Sequence, residues 1–425
     1  MLRLVVAVTV GRLAGFLSRL IGRGGSAIPG LVAEMLDPLV IDKLVASIPG
    51  GVVVVTGTNG KTTTTKMLVT ALERSGTPVL TNPSGSNLAR GVATVLISAS
   101  RRGRISGYEL AVLEIDEAAV SALAPRLAPR LVVVTNLARD QLDRYGELET
   151  TARHVGVAVA SAKRAVLNVD DPAVMALDVG RSVWFGAVDG IRRTMPHDRL
   201  LYDGSGPEEL AVKADALLEL ADQQGDGQRI RVAIAGSVLD ATLRVPGAYN
   251  GYNAAAALLA AVELGVDPAA AAASLEEMSP AFGRGQVIEF EGRRVNLLLV
   301  KNPSGFNQAL RLLTDAPAPA QVLIAINDNH ADGRDVSWLW DVRFEDLEGS
   351  GHSIGTSGIR AADMTLRLKY SGIESWSDPD LDAALRRTVS AAAEGEVVYV
   401  IPTYTAMLSL LQLLLPGAAR SEMWT

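Results

Sequence analysis

Nothing constrains this chain more than the stretch Val52-Val-Val-Val-Thr-Gly-Thr-Asn-Gly-Lys-Thr-Thr63, which reads as a buried strand, a glycine turn and the start of a helix. Gly57 and Gly60 let the backbone turn so that its N–H groups face a phosphate. Thr58, Asn59 and Thr63 complete the loop, Lys61 supplies positive charge, and Thr62 offers a hydroxyl to Mg2+. Beyond it, Met67 pairs with Ala71 and Leu68 with Leu72 at i, i+4 spacing, so the loop opens a helix. The loop is shorter than the general G-x-x-x-x-G-K-[ST] form. A chance glycine turn is the alternative, and the flanking strand and helix favour the nucleotide reading. As a loop residue, Lys61 is expected at the surface with little core contact.

Such a unit belongs in a parallel sheet with crossover helices, and the surrounding sequence agrees. Val52–Thr56, Leu110–Ile115, Leu131–Thr135 and Ala165–Val169 are apolar runs without strict alternation, as expected of strands covered on both faces. From Ile191 to about Gln228 the pattern loosens, followed by a hairpin over Arg229–Ile234 and Leu239–Val245. Tyr252–Leu264 is Ala-rich and helical, and Asp267 and Pro268 open another helix. A second alternation starts near Val287: strands Val295–Val300, Gln321–Ile326 and Val397–Ile401, helices Gly305–Leu313 and Leu381–Ala393, and an apolar helix ending at Leu415. The expected architecture is α/β, a central P-loop ATPase domain with a parallel sheet plus a smaller C-terminal Rossmann-like α/β domain. Its divisions are an N-terminal helical segment (1–45), the ATP-binding domain (46–285, with 191–245 as a loose insertion and hairpin) and the C-terminal domain (286–425).

At 425 residues the chain exceeds one ordinary core. Its net charge of −7 gives no global attraction for nucleic acid, so no nucleic-acid partner is expected. The chain has no cysteine, and its histidines, 154, 197, 330 and 352, lie too far apart in sequence for metal-ligand spacing. No zinc is expected, and a cytoplasmic address fits. The segment from Leu4 to Ile21, with Arg12, Arg19 and Arg23, reads as an amphipathic helix. Packing on the next domain and contact with anionic lipid at the inner membrane face are its two readings.

Glu114 and Asp116 end the strand Leu110–Ile115, at the edge where parallel sheets hold ligands. Glu114 suits Mg2+, Asp116 is the weaker candidate with Glu117 adjacent, and Asn136 lies on the same edge.

Taken in order, the glycine loop, Glu114, Thr135-Asn-Leu-Ala-Arg-Asp-Gln-Leu-Asp-Arg-Tyr-Gly146 and Asn168-Val-Asp-Asp-Pro172 resemble the Mur ligases. Gly247-Ala-Tyr-Asn-Gly-Tyr-Asn253 is similar to that family's nucleotide-contacting segment, and Gly283-Arg284 to its arginine step. The resemblance implies that Lys61 and Thr62 bind phosphates and Mg2+, Glu114 binds Mg2+, and Asn253 and Arg284 contact ATP.

The departures are as informative. Gln141 and Tyr249 stand where amino-acid-adding Mur ligases have histidines, and no lysine lies within 147–161 to be carbamoylated. With Lys301-Asn-Pro-Ser-Gly-Phe-Asn307 and Asn327-Asp-Asn-His-Ala-Asp-Gly-Arg-Asp-Val-Ser-Trp-Leu-Trp-Asp341, they are similar to the MurT branch, though the branch's four-cysteine zinc ribbon is missing. That resemblance implies ATP-dependent amidation of the D-glutamate carboxylate of lipid II, at the inner membrane face, through an acyl phosphate. Ammonia would come from a GatD-like glutaminase in a heterodimer, and Asp335 would complete that partner's Cys–His pair, with Asp332 and Asp341 crowding the same segment. Trp338 and Trp340 suit either that interface or the core. The rival readings are an autonomous amino-acid-adding Mur or folylpolyglutamate-type ligase, and a nucleotide-dependent binding protein on the same fold.

Overall fold

The computed structural model describes residues 2–20, 27–82, 86–138, 148–195, 212–224, 227–278, 284–314, 316 and 318–416. Two sheets organise it. The first contains β1 (Val52–Thr56), β2 (Val79–Thr81), β5 (Leu110–Glu114), β6 (Leu131–Val134), β7 (Arg164–Asn168), β8 (Ser182–Ala187), β9 (Ala216–Gln224), β10 (Gly227–Ile234) and β11 (Ser237–Leu243). Their spatial order is β11-β10-β9-β8-β7-β6-β1-β5-β2. Every pairing from β2 to β9 is parallel, and the last two are antiparallel. A separate hairpin joins β3 (Ser100–Arg101) to β4 (Arg104–Ile105).

The missing alternation in the strand sequences has a direct cause. Val53 and Val55 of β1 enter one core with Met67 and Leu68, while Val52 and Val54 enter another with Ala93 and Leu96. Side chains alternate across the sheet, both faces are covered, and so every position is apolar. The first face is covered by α4 (Lys61–Arg74) and the helix Ala248–Glu263, whose residues from Asn250 to Ala261 are all buried. On the opposite face lie α1 (Leu2–Leu20), α2 (Ile28–Leu36), α3 (Val40–Val45), α5 (Ala89–Ala99), α6 (Glu117–Leu127) and the helix Leu148–Ser161.

The loose stretch expected over Ile191–Gln228 is corrected by β9, which pairs with β8 and continues the sheet into β10 and β11. Only Ala216 and Leu218 of β9 are buried, and its polar outer half hides the strand from pattern reading.

The second sheet has the order β12-β13-β17-β14-β15-β16, built from β12 (Arg284–Phe290), β13 (Arg293–Leu298), β14 (Gln321–Ala325), β15 (Ser353–Ser357), β16 (Ser375–Ser377) and β17 (Val397–Pro402). All its pairs except β12–β13 are parallel. The strands expected at 295–300, 321–326 and 397–401 are β13, β14 and β17. β15 (Ser-Ile-Gly-Thr-Ser) and β16 (Ser-Trp-Ser) escape the sequence because they lack an apolar run.

Candidate functional site

At the C-terminal edge of β1 the chain turns through Gly57, φ +119°, and Gly60, φ +86°, before α4 begins at Lys61. Both turns exclude a side chain. A Cβ on Gly57 would collide with Thr135 Oγ1, and one on Gly60 with Asn253 Oδ1. Neighbouring loops brace this turn. Asn136 accepts the Asn59 N–H at 3.0 Å and donates to the Asn59 carbonyl at 3.0 Å, Thr135 Oγ1 donates to the same carbonyl at 2.7 Å, and the Thr58 N–H reaches Asn136 O at 2.8 Å. Asn136 thus lines the cleft as a clamp on the loop.

The expectation of an exposed Lys61 is overturned, for it is 5% exposed. Its Nζ donates to Gly57 O (2.6 Å), Thr58 O (3.2 Å) and Glu117 Oε2 (2.7 Å), as an ion pair buried on both sides. Burial opposes its charge, but Glu117, Asp116 and Glu114 outweigh that and hold its pKa above the ordinary value. The helix of Glu117 packs beside β1 and carries the carboxylate inward, so Lys61 is held on a protein carboxylate at the foot of the glycine loop.

Glu114, also buried, receives Asn87 Nδ2 at 3.3 Å, while Asn82 holds its backbone from both sides at 2.9 Å. Asp116 has a different role: it caps α6 by accepting the Ala118 N–H at 3.1 Å. Among the described residues no group of three metal-ligating side chains comes together. Mg2+ is usually held by one or two carboxylates plus phosphate and water. Glu114 offers a carboxylate and the half-buried Thr62 a hydroxyl, both hard-oxygen donors of the kind such an ion takes.

A cleft of about 380 Å3 opens beside the loop, lined on one side by Asn59, Gly60, Asn136, Asp170 and Asn253 and on the other by Lys301, Ser304, Gly305 and Gln308. The two sheets meet here, where the buried Asn302 donates to Asn59 Oδ1 at 3.2 Å and accepts the Gly305 N–H at 2.8 Å. Asn253 is positioned from the helix Ala248–Glu263 by Asn250 (3.1 Å) and Thr64 (3.3 Å). Arg284 begins β12, and its side chain lies outside the described residues, as do Gln141 and 196–211.

The cleft also contains residues that sequence reading left without roles. Asp170 accepts Tyr252 Oη (2.7 Å) and the Ala187 N–H (2.7 Å), with Arg192 Nη1 3.9 Å away. Burial pushes the Asp170 carboxyl up against these partners, and burial together with Asp170 pushes the Tyr252 phenol up. Asp171 accepts the Leu137 N–H at 2.7 Å and caps the turn Pro172–Met175. The Asp-Asp-Pro run signals the cap; nothing in it signals the distant tyrosine.

Along the same C-terminal edge of the second sheet, the loop after β14 separates its three aspartates. Asp332 is buried, accepts Thr405 N (2.7 Å), Thr405 Oγ1 (2.5 Å) and Asn329 N (3.1 Å), and is pushed up by burial, so it anchors the loop. Asp335 is half-buried, accepting the Ser337 N–H at 2.8 Å, and Asp341 is exposed. The tryptophans part as well. Trp338 packs into the core beside Phe306, whereas Trp340 is 51% exposed against Tyr370.

Residues 55–188 match the Mur ligase middle domain and residues 299–407 the MurT ligase C-terminal domain. The lipid II isoglutaminyl synthase (glutamine-hydrolyzing) subunit MurT of Streptococcus pneumoniae (strain ATCC BAA-255 / R6) is 31% identical over 97% of this chain and 97% of its own. The chain belongs to the MurT family. The MurT subunit of Staphylococcus aureus (strain N315) is 28% identical over 96% of each chain. The MurF ligase of Thermotoga maritima in complex with ADP shares the fold, with a TM-score of 0.68 at 18% identity over 91% of this chain and 84% of that one. As a MurT relative the chain is an ATP-dependent ligase of the Mur family. Within this MurT frame, the glycine loop and Lys301–Gly305 face each other across one cleft, each from a region matched by a different family model.

Proposed function

We propose that this protein is the synthetase subunit of a glutamine-dependent complex that amidates the D-glutamate carboxylate of lipid II to D-isoglutamine. The reading is carried by the identity with the pneumococcal MurT subunit, which runs across 97% of both chains. In it, ATP lies on the loop Gly57–Thr63, with Asn253 and Arg284 contacting the nucleotide. Mg2+, held by Thr62 and Glu114, would supply charge neutralisation to the phosphates. Lys61 exchanges Glu117 for phosphate oxygen as γ-phosphoryl transfer to the substrate carboxylate proceeds. The acyl phosphate that results is the electrophile a bare carboxylate is not, and ammonia displaces phosphate from it. The working division is a helical segment (1–45), an ATP-binding domain (46–285) and a C-terminal domain (286–425).

This chain has no thiol nucleophile, so ammonia comes from a separate GatD-like glutaminase. The place of Asp335, half-buried in a loop on the sheet edge that also carries Lys301, supports a role for Asp335 in orienting the partner's histidine in trans. Co-purification with a glutaminase, followed by lipid II amidation driven by glutamine, tests the reading. Asp335→Asn is expected to retain ATP binding and complex formation, lose glutamine-driven amidation, and regain part of it with free ammonium at alkaline pH. Surviving glutaminase activity would remove Asp335 from the triad, and failure with both nitrogen sources would move it to the ATP chemistry.

A further inference from the structure

α1 has two apolar faces. Its inner face uses small residues: Gly11 and Gly15 allow α2 to approach so closely that Cβ atoms there would sit 2.8 Å from Pro29 O and 2.5 Å from Pro29 Cγ. Its outer face presents Leu2, Val6, Val10, Leu13, Phe16 and Leu17, each between 39% and 81% exposed. At about 100° per residue these six fall within an arc of about 120°, bordered by Arg12 on one side and Arg3 on the other. α2 and the turn after it add Met35, Leu36 and Leu39, also exposed.

The charge along α1 and the neighbouring hairpin has one sign. The first 33 residues contain four arginines and no acidic residue, in a chain of net charge −7. Beside the N-terminal half of α1 stands the β3–β4 hairpin, with Arg101, Arg102 and Arg104 exposed; Arg12 ties to it by donating to Ser100 O at 2.8 Å. Of the acids on and after α2, Asp37 is paired with Lys43, and Glu34 and Asp42 share Arg126. No helix among the described residues is long and apolar enough to cross a membrane.

We propose that the outer face of α1, with the end of α2 and the arginine hairpin, docks the protein on an anionic lipid bilayer. A broad apolar strip flanked by arginines is what an interfacial helix needs, because the apolar side chains enter the acyl boundary while guanidinium groups remain at the phosphates. A second copy of the chain is a poorer occupant, since like pairing would set arginine against arginine. The location is also apt. The Gly15 end of α1 abuts Pro29, the N–H of the next residue, Gly30, donates to Thr94 Oγ1 of α5 at 3.0 Å, and just before α5 Asn87 contacts Glu114. Through these contacts α1 is braced by α2 and α5 against the segment that holds Glu114. This deepens the proposed function, from which it takes the lipid-linked substrate.

The test is flotation of the full chain, alone and with its glutaminase, on phosphatidylcholine vesicles with and without phosphatidylglycerol. Binding is expected only with phosphatidylglycerol and is released by salt. Leu13→Glu with Phe16→Glu should lower vesicle binding about ten-fold or more while amidation of detergent-dispersed substrate stays unchanged. Arg101→Gln with Arg104→Gln, on a separate element, should also weaken binding and keeps the test alive if the first variant fails to fold. Wild-type protein absent from both vesicle types, or folded variants that bind as wild type does, overturns the proposal. So does a dimer that the Glu variant disperses without any vesicle binding. Vesicle binding without amidation would instead refute the proposed function and leave the docking face standing.

Discussion

Replacing Lys61 by Met removes a cation whose partners are all internal: Glu117 at 2.7 Å and the carbonyls of Gly57 and Thr58. The carboxylate left behind is buried, and breaking a buried ion pair from one side costs about 3–5 kcal/mol. That is roughly two to four decades in the unfolding equilibrium. Most of this cost is the stranded charge of Glu117. Lys61→Met/Glu117→Gln should therefore be more stable than Lys61→Met alone by about 2 kcal/mol, a coupling that a double-mutant cycle in urea reads directly. Because the folded pKa of Lys61 is raised above its ordinary 10.5, its stabilising effect is complete below that value and fades only as pH rises through the folded pKa. Titration of Lys61 itself therefore adds no pH dependence near neutrality. Both variants should fail to turn over ATP, the double mutant while folded, which separates phosphate contact from stability. Single-mutant costs below about 0.5 kcal/mol, or strictly additive costs, would refute the buried pair as the reason Lys61 sits where it does.

Gly60→Ala is expected to abolish nucleotide binding in a fluorescent-nucleotide titration, because the new Cβ meets Asn253 at a left-handed φ; retained affinity would show that the loop relaxes freely. Asp37 is held below its ordinary 3.8 chiefly by the Lys43 hydrogen bond, so it stabilises the fold above that value and ceases to do so as pH falls through the lowered pKa. Asp37→Asn should flatten the acid limb of Tm measured between about pH 7 and pH 3. Elemental analysis of pure protein should find no stoichiometric zinc, since the chain has no thiolate to build a closed tetrahedral site.

Local pattern and short motifs encode part of this architecture directly. The four valines before Gly57, the glycine spacing and the helix beyond it specify strand, loop and helix at once. β1, β5, β6 and β7 were legible because doubly covered strands carry unbroken apolar runs. β15 and β16 were not, since they owe their existence to pairing with neighbours distant in sequence. The same limit governed the candidate site. Glu117, three residues from Glu114 in the sequence, looked like one more acid at a strand end. Only the packing of α6 beside β1 turned it toward Lys61, and only that contact made a loop lysine a buried one. By residue type and spacing Asp332, Asp335 and Asp341 were alike, and only the family resemblance singled out Asp335. Folding assigned Asp332 to Thr405, 73 positions away, and left Asp335 half-buried on the Ser337 N–H. Tyr252 and Asp170 met because a helix on one face of the sheet crosses the end of β7. A side chain's charge and type are written locally, but its burial and partners depend on surfaces brought together from afar, and tertiary structure alone decides those.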